Sequence, residues 1–229
     1  MNKLGKITIL DYTTKTPIQM MGYHAGVCYK SNISDEQKNF KRGLECLESG
    51  HGRVMEFPDV YMNIEGYSAR VIRELYTHIG GAPTRLQAST RYIDYQNGFN
   101  YIIPASLTIH PDAEEVYIGV MDTIADGLRT LEEFGVPKED SALLLPLGMT
   151  TDITCKYNFR TLFDMSHQRM CMRAYWEYRE LFEDIMNALM DYSYEWGILV
   201  ENYFKPKCEF LNRCPEKKSC GYFEVNEQY

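Results

Sequence analysis

Ser89 and Arg91 stand two residues apart in the segment Gln87-Ala88-Ser89-Thr90-Arg91-Tyr92. On a strand, the period of two would put their hydroxyl and guanidinium on one face, where both can converge on one anion; the planar fork of arginine suits a phosphate. Taken alone, the same pattern also fits a surface strand whose arginine makes an ordinary ion pair. A second chemical region lies far downstream: Asn158-Phe159-Arg160, then Arg169, then Arg173-Ala174-Tyr175-Trp176-Glu177-Tyr178-Arg179, which interleaves cations with aromatic rings. Between the two regions, His78 closes an apolar helical pattern. A lone histidine at a helix end is more often a satisfied structural residue than a site residue.

The elements that must position these groups are legible from periodicity. Residues 6–12 alternate with β-branched side chains and predict a first strand, followed by a helix from about Pro17. Ser34-Asp35-Glu36-Gln37 has capping-box spacing and predicts a helix to about Leu47. Residues 54–64 read as a strand; Ser68 then caps a helix carrying Val71, Ile72, Leu75 and Tyr76, which Gly80-Gly81-Ala82-Pro83 must stop. Residues 89–95 and 99–103 are expected to pair as strands across Gln96-Asn97-Gly98, since Asn-Gly favours a tight hairpin turn. A long helix is predicted from Pro111 to about Phe134, and a longer one from Arg160 to about Tyr192 on the spacing of Leu162, Met165, Met172, Trp176, Phe182, Met186 and Leu189. Stripes of methionine and aromatic residues like this one belong to a core more often than to a cofactor. The sum is an α+β fold, a twisted mixed sheet packed with helices.

The chain of 229 residues is long enough for one sizeable core, and its middle holds no linker-like segment. We expect one main domain over residues 1–205 and a cysteine-containing tail over 206–229. The balance of 24 basic to 32 acidic residues argues against a general nucleic-acid coat while leaving room for a local basic pocket. No apolar run approaches the roughly 20 residues needed to span a bilayer, so no membrane role is expected, and the first residues lack a signal-peptide block; a cytoplasmic protein is expected. Seven cysteines, an odd number, then suggest thiols and not a disulfide framework. In the tail, Cys208, Cys214 and Cys220 form C-x5-C-x5-C. Zinc ribbons use closer pairs, and a metal here would need a fourth ligand from elsewhere, so no metal is assigned. No cysteine is arranged as a nucleophile beside a base, and neither a G-x-G-x-x-G nor a Walker loop occurs.

Taken in order, Ser49-Gly50-His51, Glu56, Gly66-Tyr67-Ser68, Glu74, His78, Thr84, Gln87 and Ser89-Thr90-Arg91-Tyr92 resemble a run found in ThyX-type, flavin-dependent thymidylate synthases. In that family the run reads roughly S-G-H, E-H, G-x-S-R, Q-x-x-R-H-R and S-x-x-E-x-S-x-R-Y. The stretches Leu144-Leu145-Pro146-Leu147-Gly148-Met149-Thr150-Thr151, Asn158 to Leu162 and Gln168 to Arg179 resemble the family's second half more closely. There are departures: Phe57 replaces a histidine, Thr77-His78-Ile79 keeps only the centre of R-H-R, Gln87 replaces a carboxylate, Asp164 stands for Asn or His, and Ala142 stands for an arginine.

The resemblance implies reductive methylation of dUMP to dTMP. FAD would be the cofactor, NADPH and methylenetetrahydrofolate the co-substrates, and the assembly a homotetramer with sites between subunits. By the same carry-over, Glu74, Gln87, Ser89, Arg91 and Arg169 bind nucleotide, and Glu56, His78, Asn158, Arg160 and Asp164 hold flavin. Arg169 is the implied catalytic residue, a fixed cation for the enolate charge that grows when hydride reaches the uracil ring. The departures open two alternatives: a flavoprotein of this fold acting on another pyrimidine, or a non-catalytic nucleotide-binding paralogue.

Overall fold

The computed structural model describes residues 5–223. β1 (Lys6–Ile9) leads to α1 (Pro17–Cys28), which starts on a proline, whose fixed φ is preset for a helix. α2 (Glu36–Glu48) is capped by Asp35, whose side chain accepts from Lys38 N at 3.1 Å. The capping box expected at Ser34 is not used, because Ser34 Oγ and N both donate to Asn32 Oδ1, at 2.7 and 3.0 Å. That local turn commits the hydroxyl as a donor and passes the cap to the next residue. A 3-10 turn over Gly52–Glu56 then delays the expected strand, so β2 runs Asp59–Ser68 and α3 Ala69–Leu75.

β3 (Thr84–Gln87), α4 (Ala105–Thr108), α5 (Pro111–Glu133) and α6 (Lys138–Ser141) follow. After β4 (Thr150–Asn158) come α7 (Phe159–Arg169), α8 (Trp176–Tyr192), α9 (Tyr194–Tyr203) and α10 (Lys207–Phe210). The strands form one antiparallel sheet in the order β1-β2-β4-β3, so the fold is α+β as expected.

The chain clusters into two compact units. Of the described residues, the first comprises 5–6, 64–77 and 86–154; the second comprises 7–63, 78–85 and 155–223. β2 and β4 each run from one unit into the other along their length. In the first unit Tyr67, Val71, Ile72 and Leu75 are fully buried, whereas α5 buries only Met121 and Leu128 and leaves Val116 and Val120 exposed. In the second unit α1 and α2 meet backbone to backbone: a Cβ on Gly22 would fall 1.7 Å from Asn39 O, and one on Gly43 2.1 Å from Ile18 O. The buried Glu195 of α9 caps α1, accepting from Ile18 N at 2.7 Å and Gln19 N at 3.1 Å. A carboxylate there satisfies two orphan N–H groups and faces the positive end of the helix dipole. Phe159, Phe182, Trp196 and Phe204 pack as an aromatic cluster beside it.

Two further expectations fail. Residues 89–95 do not form a strand: β3 ends at Gln87, Ala88 N makes a last bond to Asp152 O, and Tyr92 N and Ile93 N both turn back to Ser89 O. The partner expected for a hairpin is occupied, since Thr150 N donates to Asn100 O at 2.8 Å and Ile102 N to Gly148 O at 2.9 Å. Only an isolated bridge, Tyr101 to Met149, results. The helix expected over 160–192 breaks at residues 170–175 into α7 and α8, which makes α5 longer than either.

Candidate functional site

Most of the candidate cofactor residues gather in the second unit around α7. β4 alternates cleanly, burying Ile153, Cys155 and Tyr157, and ends in Asn158, whose Oδ1 accepts from Thr161 N at 2.9 Å to start the helix. Asn158 is thus buried and acts as the cap. Thr161 Oγ1 donates to Gly80 O at 2.7 Å and lies 2.8 Å from Asn158 Oδ1, which ties the 80–81 loop to the helix start. Gly81 takes a left-handed φ of 71°, and a Cβ there would fall 2.3 Å from Thr161 Oγ1. Only glycine allows both the backbone turn and the close approach.

Arg160 follows the cap directly and donates from Nη1 to Glu56 Oε1 at 2.7 Å, while Glu56 Oε2 accepts from Arg53 Nη1 at 3.1 Å. The pair joins two predicted residues. It is half-exposed, so it orients more than it stabilises. Phe57, the residue in place of a family histidine, stacks on His24 with ring centroids 3.7 Å apart. Asp164 lies exposed on α7.

Arg169 ends α7, and its Nε donates to His78 Nε2 at 2.8 Å. The guanidinium carbon lies 4.1 Å from the ring centroid of Tyr178, a cation–π contact. His78 O accepts in turn from Arg85 Nη1 at 3.2 Å. Burial, then the charges of Arg169 and Arg85, push the His78 pKa down to about 4. The imidazole is therefore neutral at physiological pH, and because Nε2 accepts, its proton sits on Nδ1. A neutral acceptor and an aromatic face orient Arg169.

The candidate nucleotide residues Glu74, Gln87, Ser89 and Arg91 belong to the first unit. Glu74 is in the last turn of α3, and Gln87 Nε2 donates to Thr151 Oγ1 at 3.3 Å. Ser89 and Arg91 share one turn, in which Ser89 Oγ accepts weakly from Arg91 N at 3.4 Å. The common face expected of a strand is thus replaced by a turn. The exposed Arg91 pairs through Nε with Glu139 Oε2 at 3.0 Å. Ala142 opens a short 3-10 turn, and the side chain of neighbouring Leu143 is exposed.

Sequence reading missed Tyr178, Thr161 and Glu139. Tyr178 was hidden by the single-helix expectation: nine residues at 3.6 per turn put Arg169 and Tyr178 on opposite faces, roughly 13 Å apart along the axis. The break between α7 and α8 removes that constraint. Thr161 carried a usable signal, because it stands three residues after Asn158, a residue type that favours helix N-caps.

An α+β chain with a capped strand-to-helix junction and an arginine held by a neutral histidine is thus in hand. Comparison with known proteins then places it: the model of the family described as thymidylate synthase complementing protein, Thy1, matches residues 8–192. The chain belongs to that family. Among its relatives, a flavin-dependent thymidylate synthase of Geobacter sulfurreducens is 29% identical over 192 residues, covering 80% of this chain and 82% of that protein. Proteins of the same description from Nitratidesulfovibrio vulgaris and Pyrococcus furiosus are each 27% identical, covering 90% and 93% of this chain and 87% and 90% of their own lengths. Among the described residues, no helix is long and apolar enough to cross a membrane.

Proposed function

We propose that this chain is a flavin-dependent thymidylate synthase that reductively methylates dUMP to dTMP, with FAD as cofactor and NADPH and methylenetetrahydrofolate as co-substrates. The observation that carries the reading is Arg169, fixed between the neutral His78 and the ring of Tyr178. Such a cation stabilises the charge that develops on a uracil carbonyl as the ring accepts hydride at the adjacent position, and it pays little reorganisation when that charge appears.

The residues present suit a flavin. An uncharged, half-buried imidazole at His78 is compatible with an aromatic ring system, and Arg160 at the N-terminus of α7 suits a diphosphate. Glu56, His78, Asn158, Arg160 and Asp164 would hold the cofactor. When bound and reduced, FAD supplies the hydride. Cys155 is no competitor as a nucleophile, since burial pushes its thiol up to about 12. Glu74, Gln87, Ser89 and Arg91 would bind nucleotide, with Arg91 leaving an exposed ion pair that costs little to open.

Assembly as a homotetramer agrees with the apolar side chains that this chain leaves exposed, among them Val116 and Val120 on α5 and Leu143 at 86% exposure. We assign catalysis to residues 1–205 of a cytoplasmic protein, with 206–229 as its tail. A second reading, action on another pyrimidine, is favoured by Ile79, which is 74% exposed where the family has a phosphate-seeking arginine.

The test is an absorbance spectrum of the purified protein, followed by anaerobic NADPH reduction with and without dUMP and an assay for dTMP. Flavin that bleaches faster with dUMP, together with dTMP formation, supports the synthase. Bound flavin indifferent to dUMP but responsive to another pyrimidine supports the second reading. Failure to retain added FAD overturns both.

A further inference from the structure

The tail motif Cys208, Cys214, Cys220 gains a fourth thiol in the fold. Cys171, in the break between α7 and α8, lines with these three a cavity of ≈ 460 Å³ within the second unit. All four are free thiols.

The segment around them is held weakly by ordinary means. Residues 207–223 contain no buried side chain, and α10 is only 4 residues long. Yet the segment returns repeatedly to the same place. Arg173 Nη1 donates to Lys218 O at 2.8 Å, Tyr222 Oη donates to Glu209 Oε1 at 2.7 Å, and the rings of His167 and Phe210 lie 4.6 Å apart. A stretch with so little core needs a cross-link to keep one conformation, and a structural metal is the common one where thiols abound.

We propose that this cavity is a tetrathiolate metal site in which Cys171, Cys208, Cys214 and Cys220 hold a thiophilic centre, a zinc ion or an iron–sulfur cluster, stapling the C-terminal segment to the α7–α8 break. Among the described residues no three His, Cys, Asp or Glu side chains already converge tightly enough to hold an ion, so metal entry draws the thiols in from the cavity wall. Loading zinc releases the thiol protons and leaves the four thiolates with net negative charge, which Lys207 on the same wall partly offsets. The sequence spacing alone lacked a fourth ligand; the helix break supplies it.

The experiment is metal and acid-labile sulfide analysis of the full chain purified without air, with Cd2+ titration of the metal-free, reduced protein followed by thiolate-to-metal ultraviolet absorption. We expect about one zinc per chain, or iron with matching sulfide, the two arms separating the ion from the cluster. In C171S and C214S the metal should fall at least tenfold and the tail should be cleaved at least tenfold faster by a protease. C28S, altering an exposed thiol of α1 outside the cavity, should keep the wild-type metal content. Absence of zinc and iron from the wild type together with no Cd2+-thiolate absorption would overturn the site, as would undiminished metal in both variants. The Cd2+ titration of the wild type decides the matter even if a variant fails to fold, and none of these readouts depends on thymidylate synthesis.

Discussion

Arg169 donates from Nε to Nε2 of His78 across 2.8 Å, joining residues 91 positions apart. The bond makes His78 a positioning residue as well as a candidate cofactor contact. It holds only while the imidazole is neutral, because a protonated ring has no lone pair to offer and would face a guanidinium.

A pH dependence follows with a definite sign. The folded pKa of His78 is about 4, below the usual value of 6.5, so the unfolded chain binds the proton more readily. Its contribution to stability is complete above about pH 6.5 and is lost as pH falls toward 4, with a slope of at most about 1.4 kcal/mol per pH unit for one proton. His24 and His167 are also shifted down, chiefly by burial, so the measurement must be a difference. Urea unfolding of wild type and H78Q between pH 7 and 4 should show the wild type losing more stability; parallel curves would refute the assignment.

Tyr178 tests the aromatic half of the clamp. Y178F keeps the ring under Arg169 and should hold kcat for dTMP formation within about threefold. Y178L removes a cation–π contact worth about 0.5–2 kcal/mol and should lower kcat by about 2- to 30-fold, with the flavin still bound. Equal loss in the two variants would show that the hydroxyl, and not the ring, matters.

Gly81 and Gly80 form a matched pair of probes. A Cβ at Gly81 meets Thr161 Oγ1 at 2.3 Å and Asn158 Nδ2 at 2.7 Å on a left-handed backbone, whereas nothing lies within 4 Å of one at Gly80. Chemical denaturation should find G81A destabilised by about 2 kcal/mol or more and G80A within about 1 kcal/mol of wild type. G81A should also bind FAD more weakly, because the loop it displaces leads from His78 to the start of α7.

Arg91 separates binding from folding. Its pair with Glu139 is exposed on both sides, at 63% and 55%, so R91Q should change stability by less than about 0.5 kcal/mol. Loss of a charge-assisted bond to nucleotide phosphate, about 1.5–3 kcal/mol, should weaken dUMP binding roughly 10- to 150-fold. Calorimetric titration with dUMP, set beside an unfolding curve, checks both halves. Unchanged affinity would remove Arg91 from the nucleotide site.

Much of the scaffold was legible in local pattern. The α5 limits and the Ser68 cap both rest on interactions within a few residues, where spacing and side-chain type decide the outcome. The candidate residues were likewise named from their order along the chain, and the pairs Glu56–Arg160 and His78–Arg169 draw their members from that set. The failures came from competition that local pattern does not record. Residues 89–95 have strand-like alternation, but their partner is already hydrogen-bonded to residues 148–150. The break at 170–175 contains no glycine or proline, and helical periodicity continues on either side, so nothing in the sequence announced it. By itself, then, the sequence determined the family, through the order of its motifs, and those elements whose signals are local, because these depend on residue types and spacings along the chain. Only tertiary structure decided that Tyr178 lies under Arg169 and that Cys171 joins the tail thiols at one cavity, because each depends on where a broken helix redirects the chain.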